Sequence, residues 1–232
     1  MIISESHQFI FVHNPKVAGT SIKEIFRPFA WQNRSHVKYF FGTNRLGTKY
    51  REQLLPDVIL QHWTDAAIYS LWSHEPLTRA RKLLPSTLFE NYYKFGFVRN
   101  PWDRELSHYH FILNWHDHRF HHQVAALEDF NDYVSWLIDH QDQFYSPQSR
   151  YLADDQGNVL ADYVGRFEHL SEDVYAICEA IGIDKPVIPH ANKTDHSHYL
   201  EYYNDRSIDL ISQLYADDIR IFRYTVDNSS PD

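Results

Sequence analysis

The stretch FVHNPKVAGTSIKEIF, residues 11–26, decides how the chain is read. Its apolar start reads as the end of a strand, and SIKEIF reads as the start of a helix. A glycine-containing turn joins them. The first N–H groups of a helix have no intrahelical partner, and the helix dipole favours negative charge there. Lys16 adds a mobile ammonium just before the turn. Gly19 permits close backbone approach. Thr20 and Ser21 offer hydroxyl and backbone donors. The stretch is therefore an anion-binding device, but it is not a Walker A loop, which needs Gly-x-x-x-x-Gly-Lys-Ser/Thr. Here the lysine precedes the glycine. There is no GxGxxG either, so neither an ordinary ATPase nor a dinucleotide enzyme fits.

Outward from this stretch, apolar runs alternate with helical patterns. Residues 8–13 read as the first strand and residues 20–29 as a helix with Pro28 near its end. Residues 57–62, DVILQH, form a second apolar run, followed by a Thr64-capped helix. Pro76 and Pro85 bracket another helix. KFGFV, residues 94–98, is a third strand, and Pro101 suits the first turn of the helix that follows. Trp102, Leu106, Tyr109 and Leu113 share one face of it at helical spacing. A helix follows over 127–139, then a polar loop over 142–158. DYVGRFEHL gives an edge or final strand, and Ser171 caps a helix reaching about Ile181. Residues 205–216 form an amphipathic helix, IRIFRY closes as a short strand or turn, and the tail 225–232 frays. Strands separated by helices predict an α/β fold with a central, mostly parallel sheet flanked by helices, in one domain over 1–232.

A second anion signal lies in FGFVRNPWDRELSHY. Arg99 ends a strand, and Ser107 follows eight residues later on the helix. A planar guanidinium holds two phosphate oxygens in a fork. For both side chains to serve one phosphate, Arg99 has to fold along the helix start. The competing reading pairs Arg99 with Asp103 as a helix-start salt bridge and leaves Ser107 merely small. The Asp103–Arg104 pair is assigned to stabilising the helix and its docking.

Composition sets outer bounds. With 31 Asp and Glu against 22 Lys and Arg, the formal charge of −9 argues against a general nucleic-acid binder. The single cysteine, Cys178, excludes an internal disulfide and a thiolate metal cluster, and its pattern places it in a helix core. No stretch approaches a membrane span, and the N-terminus lacks the pattern of a signal peptide, which favours a cytoplasmic protein.

Together the two signals resemble those of the sulfotransferase superfamily, most closely its branch of carbohydrate (Golgi-type) sulfotransferases and their bacterial relatives. HNPKVAGTSI is similar to that family's 5'-phosphosulfate loop. FGFVRNPWDRELSHY is similar to its 3'-phosphate segment, arginine and serine included. VGRFEHL and the late PHANKT followed by YY fall in the family's order. The resemblance implies a three-layer, P-loop-like fold and the donor 3'-phosphoadenosine 5'-phosphosulfate (PAPS). It implies transfer of a sulfuryl group to a hydroxyl, of a carbohydrate or glycoconjugate, with no metal. The resemblance implies Lys16 on the 5'-phosphate and bridging oxygen, with Ala18, Gly19, Thr20 and Ser21 cradling it. It also implies Arg99 and Ser107 on the 3'-phosphate. One departure is His13-Asn14 before Pro15, which is expected to alter loop packing more than chemistry.

A hydroxyl acceptor needs a general base. His62 is the candidate, because it ends an apolar run at the sheet edge where open α/β sheets bind ligands. LQHWTDAAI is also similar to the family's histidine-bearing segment. His13 is the runner-up. Arg166, after a strand and a glycine, and Lys193, in an irregular segment, are further donor-binding candidates, and Glu168 is expected to hold Arg166. HYHFILNWHDHRFHH places His118 and His122 four apart, but with no HExxH and no cysteine partner it reads as a solvated helix end rather than a zinc site. A nucleotide-dependent kinase lacks its lysine and metal carboxylate here. A non-catalytic nucleotide-binding or interaction protein on the same fold is the alternative.

Overall fold

Every residue of the strand Phe9–Val12 is buried, so both faces of the sheet are covered. Side chains of a strand alternate between its faces. Phe9 and Phe11 enter one apolar cluster with Phe95, Phe97, Ile22, Phe26, Val174 and Ile177. Ile10 and Val12 enter a second, with Val98, Trp102, Leu106, Tyr133 and Ile211. Burial on both faces is the mark of a sheet sandwiched between helices.

The computed structural model describes residues 1–30, 74–141, 146–188 and 198–227. Among these, the sheet has four strands in the order β1 (Ile2–Ser4), β2 (Phe9–Val12), β3 (Tyr93–Val98) and β4 (Tyr163–Arg166). β1 pairs antiparallel with β2, while β2, β3 and β4 run parallel. The expected α/β fold with a mostly parallel, helix-flanked sheet is what forms. The helices are α1 (Gly19–Phe26), α2 (Leu77–Leu83), α3 (Ser86–Asn91), α4 (Pro101–Asn114), α5 (His121–Ala125), α6 (Phe130–Asp139), α7 (Ser149–Leu152), α8 (Leu170–Ala180), α9 (Asp205–Leu214) and α10 (Ala216–Phe222).

α1 and α8 cover the phenylalanine face of the sheet, and Cys178 is buried there. The opposite face carries α4, whose Trp102 and Leu106 are core residues. Trp102 also donates its indole N–H to the Ile208 carbonyl at 3.2 Å, which ties α4 to α9. α4 starts where it does because the Asn100 side chain accepts from the N–H groups of Trp102 and Asp103, with Pro101 in the first turn.

Several boundaries differ from the sequence reading. β1 and α3 were not expected. A four-residue helix, α7, interrupts the loop read over 142–158. α8 starts at Leu170 after His169, so Ser171 lies inside it and does not cap it. IRIFRY is not a strand, because Ala216–Phe222 is helical and only the residues after Phe222 turn away. The apolar run at 57–62, the helix after Thr64 and much of the segment around Lys193 lie outside the described residues. Among the described residues, no helix is long and apolar enough to cross a membrane.

Candidate donor site

Parallel pairing aligns the carboxyl ends of the strands. Val12 lies opposite Gly96, and Val98 lies opposite Arg166. The chain leaving β2 enters the loop 13–18, the chain leaving β3 enters Arg99 and Asn100, and β4 ends at Arg166. Segments far apart in sequence therefore meet at one edge, where open α/β sheets bind ligands.

The loop after β2 is bent twice. Lys16 (φ 64°) and Ala18 (φ 56°) both adopt the left-handed conformation. Left-handed residues in a turn before a helix are the backbone feature from which concave anion nests are built. α1 begins at Gly19 with no side-chain cap. Its first intrahelical bond is Ile22 N–H to the Ala18 carbonyl, which leaves the earlier N–H groups without an intrahelical acceptor. At this start Thr20 is exposed and Ser21 is half-buried.

Three side chains fix the loop to the core. Asn14 donates to the Phe97 carbonyl at 3.1 Å. Arg104, only 4% exposed, donates from Nε to the Pro15 carbonyl at 3.3 Å and from Nη2 to the Ser146 carbonyl at 2.8 Å. Arg99 donates from Nη1 to the Lys16 carbonyl at 3.4 Å. The assignment of Arg104 to docking α4 is thereby given its contacts.

Gly19 has a steric reason of its own. A Cβ there would stand 1.8 Å from His13 Nε2 and 2.1 Å from His13 Cδ2. The His13 ring lies over the glycine, stacked on Phe11 with centroids 6.2 Å apart and 4.3 Å from the His74 ring. His74 donates from Nδ1 to the His13 carbonyl at 2.9 Å. Burial first, then the neighbouring His74, lowers the His13 pKa to about 3, so the ring is neutral at ordinary pH. The close approach at Gly19 is made by this imidazole, and the departure at His13 shapes loop packing.

Lys16 carries its ammonium 4.0 Å from the centroid of Phe111 on α4. Burial first, then the Arg99 charge, lowers its pKa to about 8. A desolvated cation beside two arginines is poised to be stabilised by an incoming anion.

Arg99 folds along the helix start and makes there the salt bridge of the competing reading. It forks onto Asp103, with Nε 2.7 Å from Oδ2 and Nη2 2.9 Å from Oδ1. The guanidinium carbon lies 4.0 Å from the Phe167 ring centroid. The Asp103 pairing and an anion-binding role are compatible, because the fork leaves the Nη1 side turned to the Lys16 loop. Ser107 lies one turn beyond Asp103 on the same line of α4, half-buried.

Arg166 is placed differently from the rest. Its guanidinium donates to the Phe222 carbonyl and lies 4.5 Å from the Tyr224 ring centroid. Glu168 does not hold Arg166, contrary to expectation. Its Oε1 accepts from the Asn100 N–H at 2.6 Å and its Oε2 from the Tyr224 hydroxyl at 3.2 Å. The helix-start N–H was the stronger claim on that carboxylate. His62 and Lys193 lie outside the described residues.

Sequence reasoning missed the supports of this site. Below the loop, Glu105 is 1% exposed and accepts from Tyr215 at 2.8 Å and Tyr133 at 3.2 Å. Burial alone would raise its pKa, but His108, Arg104 and Tyr215 outweigh burial and hold it at about 2. The only signal was a carboxylate on the apolar side of a helix. Among the described residues, no three His, Cys, Asp or Glu groups converge as metal ligands.

An uncharacterised protein of Archaeoglobus fulgidus is 26% identical over 126 residues, covering 53% of this chain and 96% of its own. No solved structure matches. The model of the sulfotransferase family matches residues 1–225, nearly the whole chain. With a doubly bent loop after the first parallel strand and an arginine from the next reaching that loop, the chain matches its family over nearly its whole length and belongs to the sulfotransferase family.

Proposed function

We propose that the protein transfers a sulfuryl group from PAPS to a hydroxyl of a carbohydrate or glycoconjugate. The acceptor oxygen attacks sulfur, the bond from sulfur to the bridging oxygen breaks, and the hydroxyl proton passes to a base. The products are a sulfate ester and 3'-phosphoadenosine 5'-phosphate (PAP). Such a reaction asks for alignment and for dispersal of charge on the leaving phosphate. Lys16 would meet the bridging oxygen, and the N–H groups of Ala18, Gly19, Thr20 and Ser21 would cradle the 5'-phosphate. Arg99 and Ser107 would take the 3'-phosphate. Arg166 and Lys193 are assigned to the nucleotide on sequence grounds.

One observation carries this reading: the uncapped nest around Lys16 and the Arg99 guanidinium are neighbours, joined at the Lys16 carbonyl. A single-phosphate site would need only the first of them. The base is assigned to His62. His13 is the poorer choice, because its Nδ1 is buried with no hydrogen-bond partner among the described residues and its ring is pinned over Gly19.

The test is a screen of hydroxylated acceptors with radiolabelled PAPS, followed by mass spectrometry of the product. Label on a sugar hydroxyl is the expected outcome. Label only on a non-carbohydrate hydroxyl would overturn the acceptor class. Tight PAP binding with no transfer to any acceptor would favour the non-catalytic alternative.

A further inference from the structure

β3 and β4 are paired as far as Val98 and Arg166. Among the described residues, the backbone of Arg99 has no strand partner beyond Val98, yet it is buried. Its groups are satisfied by one side chain. Gln148 Oε1 accepts from the Arg99 N–H at 2.8 Å, and Gln148 Nε2 donates to the Arg99 carbonyl at 2.8 Å. A primary amide holds its carbonyl acceptor and an N–H donor side by side, so one amide can pair with both the N–H and the C=O of a single residue. Gln148 therefore stands in for a strand residue at the point where the sheet ends.

Gln148 is held in turn by Asp218 of α10. Oδ2 of Asp218 accepts from the Gln148 N–H at 2.6 Å, and Oδ1 accepts from the Ser149 N–H at 2.8 Å. Gln148 and Asp218 are both 0% exposed. Buried polar groups are retained where every partner is made, and such networks fix one geometry. The loop around Lys16 has two further supports of its own, Asn14 and Arg104, besides its contact with Arg99. Gln148 and Asp218 act on the Arg99 side alone, whereas Asn14 and Arg104 hold the Lys16 loop when Arg99 shifts.

We propose that Gln148, backed by Asp218, is a positioning residue for Arg99 and so sets the selectivity of the donor site for a 3'-phosphate. It touches no reacting atom. It fixes the Arg99 backbone, from which the guanidinium reaches both Asp103 and the Lys16 loop. The inference rests on the two-phosphate reading above.

The experiment is calorimetry of PAP and adenosine 5'-phosphate on the wild type, Gln148→Met, Arg99→Ala and the double variant, with thermal melts to confirm folding. Misplacing a binding group by an ångström is costly, so Gln148→Met is expected to weaken PAP by on the order of tenfold. Adenosine 5'-phosphate should change by less than roughly twofold. In the Arg99→Ala background, Gln148→Met should add no further loss. An equal loss for both nucleotides, an unchanged PAP affinity, or a full loss in the Arg99→Ala background would overturn the proposal. If Gln148→Met does not fold, Asp218→Asn, which keeps one backbone acceptor, must show the same selective loss, and an unchanged ratio overturns the proposal. A wild type that binds the two nucleotides equally overturns the two-phosphate reading and this inference with it.

Discussion

Nη1 of Arg99 lies 3.4 Å from the carbonyl oxygen of Lys16, across 83 positions of sequence. That contact joins the end of β3 to the loop after β2. It brings a forked guanidinium beside a lowered-pKa ammonium at the edge of a parallel sheet. Like charges held together in a part-buried site destabilise each other until an anion arrives, and the predictions below follow from that.

Lys16→Met is expected to lower kcat by about 10²–10³-fold while weakening PAP much less. A charge that meets the leaving oxygen acts most strongly in the transition state. Turnover and PAP affinity measured on the same folded variant decide it. Equal losses would make Lys16 a binding residue only.

PAP affinity is expected to fall as pH rises through about 8, where the Lys16 ammonium of the free protein loses its proton. Bound phosphate raises that pKa, so binding takes up a proton in this range, and the loss continues up to the pKa of the complex. Calorimetry from pH 7 to 10 in buffers of different ionisation enthalpy reads the proton directly. The slope should vanish in Lys16→Met, and a slope that survives would assign it to another group.

Gly19→Ala is expected to destabilise the protein by about 1–3 kcal/mol, the usual cost of overpacking. The new Cβ would collide with His13, whose ring has little room to move between Phe11 and His74. Adding His13→Ala should recover part of the loss in urea denaturation. A Gly19→Ala variant as stable as wild type would mean that the ring does not sit on the glycine.

Stability should decline in acid in two overlapping windows. His13 has its folded pKa depressed from 6.5 to about 3, so the unfolded chain binds the extra proton first. Its contribution is present above 6.5 and is lost as pH falls toward 3. Glu105, depressed from 4.5 to about 2, contributes above 4.5 and loses that contribution as pH falls toward 2. His13→Phe should shrink the first window, to which His74 also contributes, in melts taken from pH 7 to 3 and leave the second. An unchanged acid profile would contradict the burial of the imidazole.

Local chemistry made much of this site legible in the sequence. The strand, turn and helix around Lys16, and the Arg99 strand end with its Asn100-Pro101 helix start, depend on residues a few positions apart. The supports depend on tertiary contacts. Nothing near Gln148 announces that its amide will pair with Arg99, and nothing near Glu168 says that it will take the Asn100 N–H rather than Arg166. β1 spans three residues, too few to show a period. IRIFRY alternates like a strand, yet Asp217 and Asp218 in the first turn and the buried Phe222 make Ala216–Phe222 a helix.

The central claim is that the Lys16 loop and Arg99 form one site for a nucleotide with phosphates at both ends of its ribose. Calorimetry of PAP against adenosine 5'-phosphate on the wild-type protein tests it most directly. Charge-assisted hydrogen bonds contribute about 1.5–3 kcal/mol each, so PAP is expected to bind at least about tenfold more tightly. Arg99→Ala should remove most of that difference. Equal affinities for the two nucleotides would contradict the account.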